Sequence, residues 1–108
     1  MTYRVVLTRD AVRDLEELYD YLAAYESESK AEQVLARIED QLHRLTESPE
    51  RGTRPRELLT LGISEFRQVY FKPYRILYKL HGKKVYIVLI ADGRRDMKSL
   101  LQRRLLGA

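Results

Sequence analysis

Four arginines stand where an anion could be gripped. Arg67 lies in Phe66-Arg67-Gln68-Val69, Arg75 lies in Tyr74-Arg75-Ile76-Leu77-Tyr78, and Arg94-Arg95 follows Ile90-Ala91-Asp92-Gly93. Each guanidinium is a permanently charged planar fork. Several brought together would bind phosphate or carboxylate bidentately and would stabilise charge in a phosphoryl-transfer transition state. The competing reading is a set of surface arginines beside strands, paired with Glu65, Asp92 and Asp96 and contributing little. Other chemistries lack their residues. The chain has no cysteine, no Gly-rich phosphate loop, no His/Cys metal cluster and no nucleophile elbow, so no cofactor and no metal is expected. His43 and His81, isolated in sequence, read as surface residues rather than as bases. There are 8 tyrosines. Most read as half-buried with a wet hydroxyl, and Tyr74, beside Arg75, is the one best placed to stack on an RNA base.

Charge is distributed unevenly. Residues 1–50 carry 6 Lys+Arg against 12 Asp+Glu, whereas residues 72–108 carry 10 against 2, within a net charge of +4. An acidic half followed by a basic half suits a nucleic acid, a nucleic-acid enzyme or an acidic partner for the second half. With 108 residues, 44% hydrophobic and 33% charged, the composition is that of one globular domain over residues 1–108. No apolar run suffices for a membrane span or a signal-peptide core, so a cytoplasmic protein is expected.

The elements that must position these arginines follow from periodicity. Tyr3–Leu7 reads as a strand, and Thr8 as the cap of a helix over Asp10–Tyr25 with Val12, Leu15, Leu18 or Tyr19, and Leu22 on one face. Ser29, with Glu32 three residues on, has capping-box spacing and predicts a second helix ending near Glu47, before Pro49. Its stripe is Ala31, Val34, Leu35, Ile38, Leu42 and Leu45. Residues 48–63 read as a loop. Strands at Glu65–Phe71, Tyr74–Leu80 and Val85–Ile90 are joined by short turns into an antiparallel meander, with the last strand central. A final helix over Arg95–Leu106 completes an α+β chain of order β-α-α-β-β-β-α, its helical hairpin packed on one face of a mainly antiparallel sheet and the other face partly open. In such a meander the end of the third strand lies near the start of the second, so Arg75 and Arg94/Arg95 are expected to converge.

These segments resemble the ParE/RelE toxin superfamily of type II toxin–antitoxin systems. The resemblance rests on the opening Tyr3-Arg4-Val5-Val6-Leu7-Thr8, the helix pair, Leu45-Thr46-Glu47-Ser48-Pro49, the strand Tyr74-Arg75-Ile76-Leu77-Tyr78 and the segment Gly93-Arg94-Arg95-Asp96. It covers nearly the whole chain. It implies a toxin held in a hetero-oligomer with a small ParD-like antitoxin whose tail wraps it. It also implies one of two targets: DNA gyrase in the ParE-like branch, or mRNA on the ribosome in the RelE-like branch.

The RelE-like alternative would be an endoribonuclease using Arg75, Arg94 and Arg95, with Lys79 or Tyr74. Cleavage through a 2′-hydroxyl needs a proton acceptor and a donor. After Arg95 there is neither Tyr nor His through to Ala108, and an arginine is a poor proton shuttle. The long hairpin and the leucine-rich last helix also look more like ParE. The favoured expectation is therefore a non-enzymatic gyrase inhibitor. Its target-binding candidates are Arg75, Arg94, Arg95, Lys98, Arg103 and Arg104. A toxin fold retained as a harmless binding module is the third possibility.

Overall fold

The computed structural model describes residues 2–107. Strand β1 (Arg4–Leu7) leads into helix α1 (Arg9–Tyr25), where the Thr8 hydroxyl accepts from the Ala11 N–H at 3.2 Å, as its cap position requires. Helix α2 (Glu28–Arg44) begins two residues earlier than the Ser29 spacing predicts: Ser27 is the cap, accepting from the Lys30 N–H at 3.0 Å. Both the Glu26 and the Ser27 N–H groups bond back to the Leu22 carbonyl, so the chain reverses as soon as α1 ends. At its other end α2 stops at Arg44, and residues 45–47 form turns rather than the last helical residues expected there.

The segment 48–63 is not a plain loop. It holds a short helix α3 (Arg56–Leu59), and Thr53 pairs as an isolated bridge with Gln68. Strands β2 (Phe66–Phe71), β3 (Tyr74–His81) and β4 (Lys84–Asp92) form the expected antiparallel meander. The sheet order is β1-β4-β3-β2, with β1 parallel to β4 in the register Leu7↔Ile87, so β4 is central as expected and the sheet is mixed. Helix α4 (Met97–Leu106) starts after an Asp96 cap, two residues later than the periodicity suggests.

Alternation along the strands sends side chains to two cores. On one face α1 and α2 cover Val69, Ile76, Tyr78, Val85, Ile87 and Ile90. The stripe on α2 is buried as its spacing predicts, with Ala31, Ile38 and Leu45 fully inside. The opposite face is covered rather than open: Leu58 of α3 and Met97, Leu100 and Leu101 of α4 pack on Phe66, Leu77, Leu89 and Ala91. Two apolar faces on one sheet force two covering layers. The reading of α3 as loop hid the second one. Among the described residues no helix is long and apolar enough to cross a membrane.

Candidate functional site

The register places Tyr74 opposite Asp92 and Arg75 opposite Ala91, so the start of β3 does meet the end of β4. The Arg75 side chain runs under the backbone of Gly93. A Cβ at that position would lie 2.8 Å from Arg75 Cδ and 3.1 Å from the Pro73 carbonyl oxygen, which explains the glycine. Arg75 and the Arg94-Arg95 pair are therefore neighbours along the chain path, but their charged ends part.

The Arg75 guanidinium turns to the α3/α4 face. Its Nη1 and Nη2 donate to Glu57 Oε2 and Oε1 at 2.7 and 2.9 Å, and its Nε and Nη2 donate to Gln68 Oε1 at 2.9 and 2.6 Å. Arg75 is 7% exposed and Gln68 6%, so this is an interior network and its members satisfy one another. The hydrogen bonds from Arg75 hold the Glu57 carboxyl below the usual carboxylate range, against the opposing pull of burial. The network ties α3 to β2 and β3 from a single guanidinium.

Arg67 serves the loop before α3. Its Nη1 donates to the Glu50 and Gly52 carbonyls at 3.2 and 3.1 Å. Tyr78, fully buried on the hairpin face, holds the same loop: its hydroxyl donates to the Pro49 carbonyl at 2.7 Å and accepts from the Gly52 N–H at 3.0 Å. Burial raises the Tyr78 hydroxyl's pKa.

Arg94 is exposed and folds back on Asp92, with Nη2 2.6 Å from Oδ2. That contact pulls the Asp92 carboxyl down. Arg95, Lys98 and Arg103 are exposed and make no side-chain hydrogen bond among the described residues. Arg104 is different. Its Nη1 and Nη2 donate to Asp14 Oδ2 and Oδ1 at 2.9 and 2.8 Å, and Nη1 also reaches the Val88 carbonyl at 3.2 Å. Of the six candidates, then, Arg94, Arg95, Lys98 and Arg103 present charge to solvent, while Arg75 and Arg104 are engaged by internal carboxylates.

Tyr74 is 8% exposed, so it is core rather than a stacking platform. The exposed tyrosines are Tyr21, Tyr25 and Tyr70, and the first two pack on each other at the end of α1 with ring centroids 4.8 Å apart. A groove of ≈ 490 Å³ runs between that part of α1 and the end of β4, with Glu17, Tyr21 and Glu26 on one wall and Asp92, Arg94 and Arg95 on the other. His43 and His81 are exposed, the first in the last turn of α2 and the second at the end of β3. Sequence reasoning missed Glu57, Gln68 and Asp14. A signal existed for two of them. Gln68 shares the inward face of β2 with Phe66, and Asp14 falls at helical spacing between Ala11 and Leu18 on the buried side of α1.

A helical hairpin on a four-stranded mixed sheet with a C-terminal helix matches the ParE/RelE fold. The solved structures with the same fold include a chromosomal ParDE toxin–antitoxin system from P. aeruginosa (TM-score 0.71, 22% identity, 84% of this chain and 96% of that one) and a mutant of E. coli toxin RelE in the free state (TM-score 0.60, 16% identity, 93% of each chain). The toxin–antitoxin complex RelBE2 from Mycobacterium tuberculosis also matches (TM-score 0.59, 24% identity, 85% and 99%). Sequence carries the assignment further. The family model for the ParE toxin of the type II toxin–antitoxin system parDE matches residues 5–97, and Toxin ParE3 of Caulobacter vibrioides is 34% identical over 101 residues, 94% of this chain and 97% of that protein. The chain belongs to the ParE toxin family of type II toxin–antitoxin systems.

Proposed function

We propose that this toxin acts in the cytoplasm by binding DNA gyrase and stalling it with DNA broken, without catalysing a reaction itself, and that a cognate ParD-like antitoxin neutralises it in a hetero-oligomer. The observation that carries this reading is the engagement of Arg75. RNA cleavage would need that arginine turned to a phosphate, and it is buried against Glu57 and Gln68. The exposed cations on the Gly93–Arg95 turn and α4 are suited instead to a macromolecular surface. The sequence from Gly93 to Ala108 carries no Tyr or His of its own to move a proton. The antitoxin partner is supported by family membership and by relatives whose structures are toxin–antitoxin complexes.

Gyrase supercoiling and cleavage assays with the purified chain test this. Inhibition with accumulated broken DNA, reversed by adding the cognate antitoxin, is the expected result. Active gyrase unaffected by folded toxin, together with mRNA cut on ribosomes, would replace it with the RelE-like reading.

A further inference from the structure

Of the six candidate cations, the four that are exposed lie on one short stretch, the turn 93–96 and the ten residues of α4. A helix that short does not persist alone. Met97, Leu100 and Leu101 press it onto the sheet. Apolar contact is not directional, however, and leaves the rotation of the helix about its own axis weakly set. Directional bonds act at both ends. At the start, the Gly93 N–H donates to the Pro73 carbonyl at 2.7 Å, over the stem of Arg75, whose guanidinium is locked to Glu57 of α3.

At the far end, Arg104 closes a bidentate pair on Asp14 of α1. Asp10 stands 3.9 Å from Arg104 Nε as a second, looser partner.

The far contact is also tied to the sheet. The β1–β4 pairing ends at Leu7↔Ile87, and the β3–β4 register then steps from Tyr78↔Ile87 to Leu77↔Leu89, so Val88 is an extra residue. Beyond that point β4 has no β1 residue beside it. Asp14 Oδ2 accepts from the Ile90 N–H at 3.0 Å, and Arg104 donates to the Val88 carbonyl. The two side chains do there what a strand would have done, and in doing so they join α1, β4 and α4.

We infer that Arg104 is a positioning residue, whose guanidinium–carboxylate clamp on Asp14 fixes α4 so that Arg94, Arg95, Lys98 and Arg103 meet their partner as one preset basic surface. The identity of that partner rests on the gyrase reading above; the clamp itself does not. Preset geometry matters because a charge array that must be ordered on binding loses affinity to that ordering.

The test compares two clamp variants, Asp14→Leu and Arg104→Met, with two surface variants, Lys98→Ala and Arg103→Ala. The first reading is amide hydrogen exchange over residues 97–106. The clamp variants should exchange there at least about tenfold faster, through local opening, and the surface variants should match the parent chain. Arg104→Lys keeps the charge but loses the fork, so its exchange should be intermediate. That variant decides the matter if Arg104→Met does not fold.

The second reading is gyrase affinity against salt. Removing a contacting cation should flatten the salt dependence, whereas loosening a clamp should weaken binding with the slope unchanged. Unchanged exchange over residues 97–106 in Arg104→Met, or in Arg104→Lys where the former does not fold, would overturn the inference, and a flattened slope in Arg104→Met would then make Arg104 a direct contact. Should the parent chain bind no gyrase, the target reading fails by itself, and the exchange measurement still decides whether the clamp holds α4.

Discussion

Removing the carboxylate from Glu57 isolates what the Arg75 network contributes. In Glu57→Ala, the guanidinium loses charge-assisted bonds of 2.7 and 2.9 Å and keeps only Gln68. Breaking a fully buried ion pair by deleting one partner costs about 3–5 kcal/mol. The side chains here are 9% exposed for Arg75 and 29% for Glu57, so water replaces part of the loss. The expected cost is about 2–3 kcal/mol, below the fully buried case but above that of an exposed pair. At this chain length about 4 °C of Tm accompanies each kcal/mol, so Tm should fall by roughly 10 °C. Glu57→Gln should cost less, because its amide oxygen still accepts one bond. The decisive measurement is urea unfolding of Glu57→Ala in the parent and in Arg75→Met, where the charge to be satisfied no longer exists. There the same change should cost under about 0.5 kcal/mol. An equal cost in both backgrounds would mean that Glu57 acts through something other than Arg75, and the reasoning would fall.

Three further outcomes follow from the geometry. Tyr78→Phe removes a hydroxyl that serves both the Pro49 carbonyl and the Gly52 N–H, and should cost about 1–3 kcal/mol in denaturant unfolding with little change in m-value. Ser27→Ala should cost about 1 kcal/mol as a lost helix cap, while Ser29→Ala, two residues along in the first turn, should be close to neutral by the same assay. Stability should fall with acidification. The folded carboxyls of Glu57 and Asp92 sit below their ordinary values, so the stability they contribute is present above the usual carboxylate range and is lost as the pH drops through their lowered folded values. Glu57→Gln should flatten that acid limb, and an unchanged limb would remove Glu57 from its cause.

What could be read in the sequence was whatever depends on local period. The α2 stripe, the meander and the centrality of β4 all follow from spacing that a single element carries. The Arg75 pairing does not. Its carboxylate partner comes from 18 residues away, in a segment whose prolines and glycines conceal a four-residue helix. The parallel pairing of β1 with β4 joins residues far apart in the chain, Arg4 with Lys84 at its start, and no local pattern specifies that register. The second core was hidden for a related reason: α4 buries only Met97, Leu100 and Leu101, and its charged residues dominate its pattern. Convergence of Arg75 with Arg94-Arg95 was correct for the backbone and incomplete for the side chains. A guanidinium on a strand can leave by either face, and only the half-buried Glu57 and the buried Gln68 decide which.

The Thr53–Gln68 bridge has a consequence for how this chain behaves when nothing is bound to it. A four-stranded sheet has two outer strands, and an unpaired outer strand invites another copy to add itself. Here β1 offers only four residues. The edge of β2 is already occupied at Gln68, where Thr53 both donates and accepts at 3.0 and 2.7 Å. The sheet therefore carries its own terminators, and self-association through backbone pairing is obstructed at the middle of β2. Any further strand would have to displace Thr53 before it could pair along the whole of β2.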